Sequence, residues 1–230
     1  MAVVAQSPEV VNTVPGRTLT EPDWLSARIA EMGRSWGTIE PRVSGTLWWC
    51  MVASALVEQL ACAYANDKPA PEPFLDNLDC VVRPDGGIER VHIHAVAGRG
   101  APGDSGAPQE TDAALGHACA EALRETLAAV IGPVAAVSGV GVPSLWAIAA
   151  DAIGNRALDA GNPEAGARLA SQVGGKLPVP RFVDVDGRTF VRRISCCLVF
   201  EVPGCEMCTS CPKRPSAERK TLLARLAAES

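Results

Sequence analysis

Leu47–Ala65 reads LWWCMVASALVEQLACAYA, and how this stretch is read decides what kind of molecule the chain builds. Its length and apolarity suit a membrane span, which needs about 20 such residues. Glu58 and Gln59 interrupt it, however, and an ionised side chain is costly inside hydrocarbon. The stretch is therefore read as the buried helix of a globular core, from Thr46 to about Tyr64. Asn66-Asp67 and the proline-rich Lys68–Pro73 end it.

Working outward, Thr20-Glu21-Pro22-Asp23 opens a preceding helix with Thr20 as its N-cap, and Gly37 stops it after Trp36. Downstream, Leu78–Arg83 and Ile88–Val96 read as strands joined by the turn Pro84-Asp85-Gly86-Gly87. Ala97–Pro108 reads as a surface loop. Helices are expected over Thr111–Val130, Pro143–Ala160 and Pro163–Val173, punctuated by Gly132-Pro133, Gly161-Asn162 and Gly174-Gly175. From Lys176 the character changes. Arg181–Val185 and Arg188–Ile194 form a second hairpin around Asp186-Gly187, Leu198–Val202 reads as a strand, and Ser216–Ala228 as a closing amphipathic helix. The expected fold class is α+β: a mostly helical domain with short antiparallel hairpins and a C-terminal segment. The expected division is residues 1–175, mainly helical, and residues 176–230.

With 47% apolar and 20% charged residues among 230, the chain is long enough to bury a core and is not compositionally disordered. Its net charge of −5 argues against a general nucleic-acid binder, which needs a basic face for phosphates. The charge is unevenly spread. Residues 1–175 hold 11 Lys and Arg against 20 Asp and Glu, whereas residues 176–230 hold 10 against 6. Met1–Val14 shows no basic, apolar secretory signal, so the expected location is the cytoplasm, with no transmembrane segment.

Nine cysteines in a reducing compartment do not read as a disulfide framework. Cys50, Cys62, Cys80 and Cys119 are scattered through apolar or helical stretches, where a thiol behaves as a small hydrophobe. The other five crowd between Cys196 and Cys211. Cys208 and Cys211, two residues apart, let one tight turn aim both sulfurs at a metal. Such a pair alone serves zinc, iron–sulfur or redox-disulfide chemistry. Neighbours in an extended strand point to opposite faces, so Cys196 and Cys197 fit poorly as chelators of one ion. The two irons of a binuclear cluster offer them separate targets, with the assignment of sulfur to iron open.

The spacing Cys196-Cys197, ten residues, Cys208, two residues, Cys211 resembles the cluster motif of bacterial ferric-siderophore reductases of the ferric-hydroxamate-uptake type. The flanks are similar too: Arg192-Arg193 before the pair, Phe200 and Val202-Pro203-Gly204 in the spacer, and Pro212 after the last cysteine. Leu145-Trp146 resembles the start of a Leu-Trp-Gly-Asn segment in that family, with Ala147-Ile148 standing where Gly-Asn would be. Cys205 departs from a spacer that is usually glycine-rich there.

The resemblance implies a [2Fe–2S] cofactor on Cys196, Cys197, Cys208 and Cys211. It also implies a cytoplasmic oxidoreductase of iron acquisition that reduces Fe(III) in a hydroxamate siderophore. No catalytic residue is expected beyond the cluster ligands. No flavin, nicotinamide or nucleotide motif is present, so the electrons should come from an external donor such as a ferredoxin. Arg188, Arg192, Arg193, Lys213 and Arg214 flank the cysteines. They would raise the cluster potential and attract an acidic donor, or simply form a solvated basic surface. The alternative reading is a non-catalytic siderophore-binding or accessory protein whose four cysteines hold structural zinc.

Three further features read as structural. His92 and His94 share a strand face but have no adjacent acidic or thiol partner, and His117 sits within a helix. Trp24, Trp48 and Trp49 read as core.

Overall fold

The computed structural model describes residues 12–94 and 112–229. Strand β1 (Asn12–Pro15) and a 3-10 turn (Gly16–Thr20) lead into helix α1 (Pro22–Trp36) and helix α2 (Pro41–Ala65). Strands β2 (Leu78–Val82) and β3 (Ile88–Ile93) precede α3 (Asp112–Ser138), α4 (Val142–Asp159) and α5 (Pro163–Val173). Strands β4 (Phe182–Val185) and β5 (Arg188–Val191), a 3-10 turn (Val199–Glu201) and α6 (Ser216–Ala228) complete the α+β fold.

Helix α2 is long and apolar enough to cross a membrane by composition. In the fold it is the central helix, packed by α1, α3, α4, α5 and β3. Trp48, Trp49, Val52, Leu56, Val57 and Leu60 are all essentially inaccessible, and each such side chain contributes about 1.5–3 kcal/mol by leaving water. Its polar positions have work to do. Gln59 donates to the Val91 carbonyl of β3 at 2.5 Å, and the two indoles donate to Gly86 and Leu145 carbonyls at 2.8 Å. The helix starts at Pro41 rather than Thr46, because a proline is pre-organised for the first turn. Gly45 then lies inside it, where a Cβ would meet that of Ser138 on α3 at 2.3 Å.

Strands β1, β2 and β3 form an antiparallel sheet in that order, with a register shift at Val81/Val82. The hairpin turn closes as expected: Asp85 Oδ1 accepts the Gly87 N–H at 3.0 Å and Gly86 takes φ +81°. Strand β1 was not read from the sequence. It has four residues ending in proline, and pairing with the distant β2 defines it. Strand β3 ends at Ile93, short of the expected Val96; Val96 itself, the loop Ala97–Pro108 and Thr111 lie outside the described residues.

The structure differs from expectation in four other places, one being β5, which ends at Val191 rather than at the expected Ile194. The N-cap of α1 is Glu21, while the Thr20 hydroxyl donates to the Arg17 carbonyl of the preceding 3-10 turn. Helix α3 does not stop at Gly132-Pro133 but continues to Ser138. A mid-helix proline costs about 3 kcal/mol, which the burial of Val130, Ile131 and Val134 around it outweighs. Leu198–Val202 is not a strand: Leu198 takes a left-handed φ of +60° and the next three residues form a 3-10 turn.

Strands β4 and β5 pair around Asp186-Gly187, both at positive φ, as a tight Asp-Gly hairpin requires. Gly154 on α4 lets this hairpin come close, since a Cβ there would meet Pro180 Cβ at 2.9 Å and Val191 at 3.5 Å. Leu198 and Val202 join the same buried core as α2 and α4. The cysteine segment therefore leaves β5 already seated on the helices.

Candidate metal centre

One carboxylate organises the approach to the cysteines. Asp151 stands alone in the apolar run Ala149–Ile153 of α4, with 4% of its side chain exposed. A buried carboxylate is costly unless its oxygens are bonded. Its partners all come from the irregular segment that follows β5: Ile194 N at 3.1 Å, Ser195 N at 2.9 Å and Ser195 Oγ at 2.5 Å donate to it. Arg193 Nε adds an ion pair at 3.7 Å. These bonds fix the backbone one residue before Cys196.

The bend at Leu198 then sets the first two thiols. The Leu198 N–H donates to the Cys196 sulfur and the Val199 N–H to the Cys197 sulfur. A positive φ at a bulky apolar residue costs about 1–2 kcal/mol, and here it turns two successive amides toward two successive sulfurs. The second two thiols sit on a tight turn, closed by Cys211 N donating to the Cys208 carbonyl at 3.1 Å.

Folding brings the thiols together in two pairs. Cys196 Sγ lies 3.8 Å from Cys211 Sγ, and Cys197 is hydrogen-bonded to Cys208. Each pair takes one cysteine from the Leu198 bend and one from the turn. Sequence spacing left this open, because an extended strand would have pointed Cys196 and Cys197 apart. Among the described residues, no group of three or more His, Cys, Asp or Glu side chains converges on a single point suited to one metal ion.

The electrostatics divide the thiols. The hydrogen bond from Cys208 is the main cause that lowers Cys197 to about 5, helped by the Val199 N–H and Arg193 against the effect of burial. Cys208, on the donating side of that bond, is pushed up. Burial pushes Cys196 up as well. Arg193 is the cation of the site, with 16% of its side chain exposed and Nη1 3.6 Å from Cys208 Sγ. Burial alone would lower its pKa, but Cys50, Cys197, Cys208 and Asp151 together raise it. Its Nε is buried without a hydrogen-bond acceptor. Four thiols in two pairs beside a half-buried guanidinium form a donor set that fits an anionic [2Fe–2S] group.

The basic flank is less of a surface than its sequence implies. Arg193 faces the thiols. Arg214 has 13% of its side chain exposed and is used up locally, donating to the Cys208 carbonyl at 3.0 Å, to the Met207 carbonyl and to Glu218. Arg188 donates to the Leu226 carbonyl of α6. Lys213 lies 4.8 Å over the Phe200 ring and 4.0 Å from Glu201. Arg192 is exposed.

The remaining candidates stay apart from the clustered thiols, but three differ from the sequence reading: His94 has an acidic partner, Cys62 is exposed and Cys50 lies near the site. His94 pairs with Asp79 at 2.7 Å on the exposed sheet edge, and His92 and His117 are exposed. Cys80 and Cys119 are buried thiols pushed up to about 12 by burial, while Cys62 is exposed. Cys205 packs against the core. Cys50, read only as a core residue of α2, also lies within the electrostatic reach of Arg193, Cys196 and Cys197, and burial pushes it up to about 12. Sequence reasoning missed Asp151; its one signal was a solitary acid in an otherwise apolar helical run.

Residues 193–213 match the family described as FhuF 2Fe-2S C-terminal domain. The matched segment contains all five clustered cysteines, and the domain that the family describes binds a [2Fe–2S] cluster. No curated protein matches the chain.

Proposed function

We propose that Cys196, Cys197, Cys208 and Cys211 hold the [2Fe–2S] cluster, one iron on the pair Cys196/Cys211 and the other on Cys197/Cys208. The protein is then a cytoplasmic ferric reductase, taking electrons one at a time from an external donor such as a ferredoxin. Its substrate is Fe(III) bound in a siderophore of the hydroxamate type. Residues 1–175 supply the siderophore-binding scaffold and residues 176–230 the cluster segment.

The observation that carries this reading is the pairing of the thiols across the bend and the turn. A structural zinc site would need the same four sulfurs around one ion, and two separate pairs favour a binuclear group instead. When bound, the cluster supplies one electron, and the Fe(II) that results is softer and less charged, so hard oxygen ligands hold it far less well. The chain's own residues set the conditions for that transfer. The Leu198 and Val199 amides stabilise thiolate charge, Arg193 offsets it from within, and Asp151 holds Arg193 and the segment before Cys196 in place. Positive charge close to an anionic cluster raises its potential.

Stopped-flow spectroscopy tests the proposal. Chemically reduced protein mixed with a ferric tris-hydroxamate should recover its visible cluster band rapidly, and NADH alone should not bleach it. Recovery no faster than in buffer without the ferric complex would refute the reductase reading while leaving the cofactor untouched.

A further inference from the structure

The reduction proposed above needs a ferric chelate close to the cysteines, and the surface offers a place for one. A cavity of about 450 Å³ opens between the first turns of α2 and α4 and the cysteine loop, with Cys196 and Leu198 in its lining. That volume falls within the ~300–1,000 Å³ of ordinary small-molecule sites. Cavities elsewhere, at Tyr64–Gln172 and at Phe182–Leu223, reach none of the five clustered cysteines. A protein donor docks on a broad patch rather than in a concavity of this size, so the cavity suits a small molecule.

The charged groups in its lining are all cations. Arg42 from α2 and Lys213 from the cysteine segment stand at it, both held by Glu201. Guanidinium and ammonium groups donate hydrogen bonds and accept none. Ser144, exposed on the first turn of α4, adds a hydroxyl, and Ala147 one turn on keeps the cavity open. A hydroxamate shell around Fe(III) presents the complementary surface, since its carbonyl and N–O oxygens only accept.

Resting on the reductase reading, we infer that this cavity is the ferric-siderophore site. Arg42, Lys213 and Ser144 donate to the oxygen shell of the chelate, and Cys196 is the cluster cysteine nearest to it. The cavity is smaller than a whole siderophore, so the chelate seats one face and leaves the rest in solvent.

The gallium(III) complex of desferrioxamine B tests the site apart from reduction, because gallium(III) carries the charge of Fe(III) but accepts no electron here. Calorimetric titration of the cluster-loaded protein should show binding. Ala147→Trp, which fills the cavity, and Ser144→Trp, on an exposed position that cannot upset the core, should each weaken it by about tenfold or more. Arg42→Ala with Lys213→Ala should weaken it several-fold, and Arg168→Ala, at the Tyr64 cavity, should bind as the parent does. Equal binding by both tryptophan variants overturns the site. If the ferric complex still reoxidises the reduced parent protein, the reductase reading survives that result. Neither binding nor reoxidation by the parent would overturn both.

Discussion

Leu198 shows at the scale of one residue how the site is made. Its left-handed backbone is strained, yet it aims two amides at two sulfurs and lets Cys196 and Cys197 each find a partner on the Cys208–Cys211 turn. Replacing any of Cys196, Cys197, Cys208 or Cys211 singly by Ser should cost most of the bound iron, since alkoxide is a poor substitute for thiolate. Cys205→Ser and Cys50→Ser should retain it, and iron analysis of the purified variants decides. A loss of iron with Cys205→Ser but not with Cys208→Ser would mean that the ligand set is wrong. Asp151 gives a second test. Asp151→Ala leaves Arg193 buried without its carboxylate and three donors without an acceptor, a loss of about 3–5 kcal/mol by analogy with other broken buried pairs. Denaturant unfolding should show it, with Asp151→Asn in between because an amide oxygen still accepts. The clustering of the thiols was legible from spacing, and a shared role for four of them only from the family resemblance. Their pairing was not, because it depends on a bend that no glycine announces, and Asp151 was not, because its partners lie more than forty residues away.

Among the elements, α2 was recognisable from its apolar run and from the two polar residues within it, one of which turned out to anchor β3. Its start at Pro41 lies outside that apolar run, because a first-turn proline favours a helix through its backbone and not through hydrophobicity. In α3 a Gly-Pro pair, which normally ends a helix, is a local signal that core burial overrides. Two variants measure these effects. Pro133→Ala restores an amide to the middle of α3 and should stabilise the protein by about 1–3 kcal/mol. Gly45→Ala should destabilise it by about 1–3 kcal/mol, because the added methyl collides with Ser138 where α2 and α3 come together. Both shifts are readable as midpoint changes in urea; a neutral Gly45→Ala would show that the two helices can move apart freely.

For the molecule as a whole, charge is distributed by use. The C-terminal segment is basic, but Arg193 and Arg214 spend their charge internally, which leaves Arg192 and Lys220 among the exposed cations able to meet an acidic donor. Electron delivery from a ferredoxin should therefore slow as salt rises, with the Debye length falling from about 10 Å at 0.1 M to about 3 Å at 1 M. Arg192→Glu with Lys220→Glu should slow it at low salt and flatten the dependence. A parent rate indifferent to ionic strength would place the donor elsewhere.

The central claim is that one electron held on the cysteine segment releases one iron from its siderophore. The most direct measurement is a single turnover: anaerobically reduced protein mixed with excess ferric tris-hydroxamate in the presence of a chromogenic ferrous chelator. The account predicts one Fe(II) trapped per reduced cluster, appearing on the same time course as the recovery of the cluster's visible band. Recovery of the band with no Fe(II) in the trap would contradict it.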